Sequence, residues 1–312
     1  MLLITVSSAD LAAALQVPQR LRDYCAHLEA GDIVYFPKTP IAILPEDLDF
    51  LLNQKQVGSG YRKNIAYKPN EDRVTGFVSQ SAETGERLHG IMRKYSRDVV
   101  GFLAQFLQPY ASRWQLDYAS FRPQQEEGRD LSVRKRNDLL HTDAFPTRPT
   151  HGDRILRFFN NINPSQSREW ITTDTFDVLA RRFAGAPELA KRNGISLPDS
   201  RKPLAGTPRA SGWRSKLAHW APALVRPPYD EFMLRFHNFL KENEGFQRDS
   251  PKQRWSFPPG SSWMVYTDMV SHAVLSGQYA LEQTLLVSKD AMVTPQKSPI
   301  RIVAALAESS GA

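Results

Sequence analysis

Asn137-Asp138-Leu139-Leu140-His141-Thr142-Asp143-Ala144-Phe145 is the stretch on which the fold turns. Its centre is His141-x-Asp143. In a β-strand successive side chains alternate faces, so residues two apart point the same way. Read as a strand over Leu139 to Phe145, the segment aims one imidazole and one carboxylate at a common point. That is two thirds of a facial triad of the kind that holds Fe(II). The remaining histidine must come from a distant strand. Met269-Val270-Ser271-His272-Ala273-Val274 offers one in apolar sequence, followed by Gly277 and a second strand-like run, Gln278 to Val287. A His-x-Asp pair alone is a weak signal, because it arises by chance and often sits at a surface or a cap. Its apolar, strand-like setting and the matching setting of His272 give it weight.

Outward from this stretch, short strand signals come in series. They are Leu116 to Arg122, Ile155 to Ile162, Glu169 to Thr173, Trp263 to Thr267, Val270 to Leu275 and Ala280 to Ser288. Many short strands separated by turns predict a sandwich or barrel. Helical segments flank them at Asp174 to Phe183 and Asp230 to Glu242. Upstream, Ser7 to Asp10 marks a helix start, Gly31 to Pro37 a short strand, and Leu44 to Leu52 a helix with Pro45 in its first turn. Tyr61 to Pro69 is basic and aromatic without a period and reads as a loop. Between Ser81 and Tyr110, Leu88, Ile91, Met92, Tyr95, Val99, Phe102, Leu103 and Phe106 fall on one helical face, a stripe suited to packing on a sheet. The fold class expected is mainly β with flanking α: a double-stranded β-helix (jelly-roll, cupin-like) core with outer helices. A single domain spans 1–312. It comprises N-terminal α/β elements over 1–110, barrel core over 115–175 and 255–290, and a Pro-rich basic insertion over 184–228.

The chain carries a net charge of +7, and between Arg181 and Arg226 ten basic residues face only Glu188 and Asp199, a local net of +8. The basicity therefore belongs to one segment, which points to an anionic partner. Trp213 and Trp220 are interleaved with these cations, as in a segment that lies on an anionic membrane surface. No nucleic-acid recognition module accompanies the charge. Nor is there a nucleotide-binding glycine motif or a G-x-S-x-G elbow around Ser271. Cys25 is the only cysteine, so no intrachain disulfide forms, which fits a reducing compartment. Met1 to Val6 is too short for a signal peptide, and no run reaches transmembrane length.

The segment His141-Thr-Asp143-Ala-Phe-Pro-Thr-Arg-Pro-Thr-His151-Gly-Asp-Arg154-Ile-Leu-Arg157-Phe-Phe-Asn-Asn-Ile-Asn-Pro164, with Ser271-His272-Ala-Val-Leu-Ser-Gly277-Gln-Tyr-Ala-Leu-Glu-Gln-Thr284, resembles the Kdo hydroxylase family. The resemblance covers most of the chain and is most specific over 117–164 and 257–287. It implies an Fe(II)/2-oxoglutarate-dependent dioxygenase that uses O2 to hydroxylate C3 of Kdo, an acidic sugar, on a lipid A precursor. It also implies a cytoplasmic enzyme peripheral to the inner membrane. On this resemblance His141, Asp143 and His272 are the metal ligands. His151, after Pro146 and Pro149 and before Gly152, reads as a turn residue instead.

The second carboxylate of 2-oxoglutarate calls for a cation, best met by the fork of an arginine. Many relatives carry it on the strand after the distal histidine. Here Gln278 to Val287 has none, and Lys289 is the first cation beyond it. Arg157, a charge inside the apolar run Ile155 to Phe159, is the first choice, because such a charge is costly unless paired. Arg122 is the second, and Arg154 belongs to the opposite face of the same strand. Tyr61-Arg62-Lys63, Arg148 and the segment after Arg181 are candidates for lining the entry. Two other readings use the same residues: a Zn hydrolase on a cupin-like barrel, and a non-enzymatic basic module that binds membranes.

Overall fold

A computed structural model describes residues 1–55, 64–77, 81–187, 189 and 226–309. Tyr61-Arg62-Lys63 and most of the basic segment, with Trp213 and Trp220, lie outside the described residues. Eleven strands run in chain order as β1 (Leu3–Thr5), β2 (Ile33–Phe36), β3 (Ile65–Lys68), β4 (Arg73–Thr75), β5 (Trp114–Arg122), β6 (Arg154–Asn161), β7 (Arg168–Thr175), β8 (Gln253–Phe257), β9 (Ser262–Tyr266), β10 (Val270–Ser276) and β11 (Ala280–Val287) among those residues. An 8-stranded sheet has the order β1-β2-β9-β6-β11-β5-β3-β4, and a 3-stranded sheet the order β10-β7-β8. All pairings are antiparallel except β1 with β2. This is the jelly-roll expected, with the N-terminal strands β1 to β4 sewn into the larger sheet.

Strand β6 shows how alternation divides the chemistry. Phe158 faces outward, 5.8 Å from the ring of Phe102 and 6.3 Å from that of Phe36. Phe159 faces inward onto Trp170 of β7, edge to face at 5.0 Å, and stacks on its cross-strand neighbour Trp263 at 5.1 Å. Trp263 in turn stacks on Phe257 of β8 at 3.9 Å. These rings join the two sheets, and each such pair adds about 0.5–1.5 kcal/mol beyond the area it buries. Arg157 shares the inward face with Phe159; Arg154 shares the outward face with Phe158.

The long helical stripe folds as a helix (α4, Ala82–Phe106) after α1 (Ser8–Ala14), α2 (Pro18–Glu29) and α3 (Pro45–Leu52). Ser81 caps α4 by accepting from the Thr84 N–H at 3.1 Å. The helix buries Leu88, Ile91, Met92, Tyr95, Val99, Leu103 and Phe106, and Tyr95 donates to Asn160 of β6 at 2.7 Å. It thus covers the outer face of the large sheet. The helix ends at Phe106 rather than Tyr110, because Pro109 cannot continue it and a 3-10 turn takes Gln108–Tyr110. The remaining helices are α5 (Phe176–Arg182), α6 (Pro228–Glu242), α7 (Glu244–Asp249) and α8 (Pro299–Ser309). No helix among the described residues is long and apolar enough to cross a membrane.

Two expectations are corrected, and one strand is added to those expected. Leu139 to Phe145 is not a strand; only His141 makes an isolated bridge, to His272. Residues 65–68, read as loop, form β3 between β5 and β4, because Ile65 and Tyr67 bury on one face. Gln253–Phe257, which gave no clear signal, forms β8, an edge strand whose alternate residues are exposed.

Gly277 ends β10 with φ +123°, and a Cβ there would stand 2.8 Å from Arg168 Cγ and 3.0 Å from Arg168 Cα. Its carbonyl also accepts from Arg168 Nη1 at 3.0 Å. Gly277→Ala is expected to cost about 1–3 kcal/mol through backbone strain, read as a lower melting temperature. A melting temperature equal to the parent's would show that the turn yields freely.

Candidate metal centre

Residues 137–143 run antiparallel along the β10 edge of the small sheet without forming a strand. Their backbone is nonetheless held. His141 N–H donates to the His272 carbonyl at 3.1 Å and His272 N–H to the His141 carbonyl at 2.9 Å. Val274 N–H donates to the Asn137 carbonyl and Asp143 N–H to that of Thr267, each at 2.8 Å. On the other side, the Gln247 amide of α7 accepts from Leu140 N–H at 2.9 Å and donates to the Leu140 carbonyl at 2.8 Å. The amide thereby satisfies Leu140 as a neighbouring strand would.

This places His141 and His272 side by side, ring centroids 4.8 Å apart. His141 Nδ1 lies 2.6 Å from the Leu139 carbonyl and His272 Nδ1 lies 2.9 Å from that of Val270. Carbonyls only accept, so both Nδ1 atoms carry the proton and both Nε2 atoms keep the lone pair, the form a metal ligand needs. Trp170 stacks on His272 at 5.3 Å and fixes its plane. His141 Nε2 is 3.6 Å from Asp143 Oδ1. Burial pushes both histidines down, so both are neutral. Burial works to raise Asp143, but the Arg157 guanidinium together with His141 and His272 overcomes it, and Asp143 is held well below the usual carboxylate range. Neutral imidazoles and an ionised carboxylate fit a divalent metal.

A further histidine joins them. His237 of α6 meets the His141 ring edge-on at 4.9 Å, with its Nδ1 2.8 Å from the Thr142 carbonyl. One donor atom each from His141, Asp143 and His237 lie within 4.8 Å of one another. Reading the sequence missed His237. Its signal was present: His237 and Lys241 stand four apart on the expected helix and so share a face.

The cluster opens onto a cavity of about 370 Å³. Arg157, Arg122 and His272 all line it, as the sequence led one to expect. The arginines are not isolated. Glu282 of β11, a strand without a cation of its own, accepts from Arg122 Nη2 at 2.5 Å and pairs with Arg157 Nη1. Arg157 Nε stands 2.9 Å from Asp143 Oδ2, a close ion pair whose angle is not that of a hydrogen bond. Beyond them Arg168 pairs with Glu126 at 3.0 Å. Burial raises Glu126, but Arg168, Arg122 and Arg129 overcome it and hold it at about 2. Four buried cavity-lining donors, Arg148 Nε, Arg157 Nε, Arg168 Nε and Trp170 Nε1, have no hydrogen-bond partner among the described residues. A donor-rich floor of this kind suits a carboxylate-bearing co-substrate.

Other sequence candidates separate cleanly. His151 sits in a turn at φ +55°, its side chain exposed and its N–H on Asp230 at 3.1 Å. Arg154 is fully buried on the outer face, paired with Asp268 at 2.8 Å. Lys289 lies outside the cavity, its Nζ on the His151 carbonyl at 3.2 Å. Arg148 does line the cavity, lying over the Tyr118 and Phe145 rings at 4.1 and 4.5 Å and 3.0 Å from Asp117.

Two histidines and a carboxylate set side by side in the mouth of a jelly-roll, above an arginine-rich floor, define the class of non-haem iron oxygenases. The family model described as 3-deoxy-D-manno-oct-2-ulosonic acid (Kdo) hydroxylase matches residues 12–310, and the chain belongs to that family. The apo structure of the Kdo hydroxylase KdoO, a non-haem Fe(II) α-ketoglutarate-dependent dioxygenase, is 32% identical over 98% of this chain and 95% of that one, with a TM-score of 0.77. Its cobalt(II) complex matches at 32% identity over 97% and 95% of the two chains, TM-score 0.79. Its complex with α-ketoglutarate and Fe(III) matches at 31% over 98% and 95%, TM-score 0.77. No curated protein matches the chain.

Proposed function

We propose that this protein is an Fe(II)/2-oxoglutarate-dependent dioxygenase that hydroxylates C3 of Kdo carried on a lipid A precursor. The observation that carries the reading is the bridge that sets His141 beside His272, with Asp143 ionised next to them. Bound Fe(II) supplies the activation of O2 that couples 2-oxoglutarate decarboxylation, to succinate and CO2, with hydroxylation of the sugar. The chain's own residues do the rest. His141, Asp143 and His272 would hold the metal. Arg157, with Arg122 behind it, orients the distal carboxylate of 2-oxoglutarate. The Trp170 ring stacked on His272 keeps that ligand from turning and excludes water from its far side.

A lipid-linked sugar substrate supports a cytoplasmic location, peripheral to the inner membrane, where the basic charge of the chain meets anionic headgroups. The test is mass spectrometry of lipid A-bound Kdo from cells with and without the protein. One added oxygen on Kdo, present only with the protein, is the expected result. An unchanged Kdo mass in cells that make the folded protein would overturn the reading.

A further inference from the structure

The helix α6 presents a second group to the cavity, one turn beyond His237. Lys241 lines the cavity and is 4% exposed, yet no carboxylate of the described residues lies within 4.0 Å of its ammonium. The group it donates to is neutral, the Arg134 carbonyl at 3.1 Å. Burial pushes the ammonium down to about 8, with only Asp143 and Asp138 acting from a distance against that push. A cation buried beside one neutral acceptor is costly.

The arginines of the cavity are each matched. Glu282 holds Arg122 and Arg157, Glu126 holds Arg168, Asp117 holds Arg148, and Glu242 holds Arg134. Position separates Lys241 from the arginine floor. Arg157 approaches the cluster from the side of Asp143, at 2.9 Å. Lys241 belongs instead to the helix that brings His237 against His141. It also lies beside Arg134, whose side chain is 65% exposed at the rim of the cavity.

We infer that Lys241 is the residue that recognises the carboxylate of the acidic sugar substrate, from the helix that carries His237 rather than from the arginine floor. The inference rests on the function proposed above. Lysine suits this role because it is a compact point charge that one carboxylate can neutralise. It also gives the cavity a means of selecting an acidic sugar, since a neutral sugar leaves the buried ammonium unmatched.

The test uses the full-length Fe(II)-loaded enzyme and a detergent-dispersed Kdo-terminated lipid A precursor. KM for that substrate and KM for 2-oxoglutarate are measured separately for the parent, Lys241→Met and Lys241→Arg. Anaerobic 2-oxoglutarate binding, read from the metal-to-ligand absorption band, checks that each variant is folded and loaded. The expected result is a rise of at least about 10-fold in the KM for the sugar substrate in Lys241→Met. The KM for 2-oxoglutarate should stay within about twofold, and Lys241→Arg should recover most of the loss. A rise confined to 2-oxoglutarate would overturn the inference and place Lys241 in the co-substrate site. Equal sugar KM values in parent and Lys241→Met would overturn it as well. A parent enzyme that leaves Kdo unmodified would instead count against the proposed function, independently of Lys241.

Discussion

Replacing Asp143 with alanine is expected to abolish turnover and to weaken Fe(II) binding by on the order of 100-fold or more. Losing a partner one shell away from a metal typically costs 10–100-fold, and losing a direct ligand costs at least as much. His141→Ala and His272→Ala should do the same. His237→Ala decides between the two ways of completing the triad. His272 is bridged backbone to backbone with His141 and held by Trp170, whereas His237 reaches the cluster from a helix. Fe(II) affinity, measured by calorimetry in the absence of O2, should therefore survive His237→Ala to within about tenfold. A His237→Ala protein that loses iron beside a His272→Ala protein that keeps it would exchange their roles. His151→Ala, out in its turn, should leave affinity unchanged.

Arg157→Ala should raise the 2-oxoglutarate requirement strongly. Truncating one partner of a buried charge pair costs about 3–5 kcal/mol, which is roughly 100-fold to several thousand-fold in affinity. Arg157 faces Asp143 and Glu282 together. Once Asp143 gives its charge to a metal, the fork of Arg157 has capacity for a further carboxylate, while Arg122 remains engaged by Glu282 and Glu126. Arg157→Lys should be intermediate, because it supplies charge without the fork. Since Arg157 touches Asp143, Fe(II) affinity is measured alongside: a loss of 2-oxoglutarate binding with metal retained is the expected pattern. Normal 2-oxoglutarate binding in Arg157→Ala with a loss in Arg122→Ala would reverse their order.

Much of this was legible in the sequence, though not always for the right reason. The strands of the jelly-roll announced themselves by β-branched and aromatic runs between turns, and α4 by its stripe. His141 and Asp143 were found by assuming strand alternation; they are in fact aimed by a bridge to His272, an N–H on Thr267 and the clamp of Gln247. Those contacts depend on tertiary docking, which no local pattern reports. The same holds for Glu282. In sequence it is an ordinary acid in an apolar strand. Only the register that sets it between Phe159 of β6 and Ser120 of β5 brings it to two arginines. His237 and Lys241 lie on a helix face beside Met233 and Leu240. Their spacing was visible, but which face looks into the cavity is decided by how the helix docks.

The proposed ligands come from a segment with no strand structure of its own and from a strand in the smaller sheet, far apart along the chain. An ion bound between them acts as a rivet through the folded barrel. Its binding free energy adds to that of the native state, because the unfolded chain has no such site. The melting temperature should climb with the logarithm of free Fe(II) or Co(II) in the parent and stay flat in Asp143→Ala. Iron scarcity then acts twice on this enzyme. It removes activity, and it withdraws the binding free energy that helps hold residues 137–143 against the small sheet, so the folded fraction falls with the supply of metal.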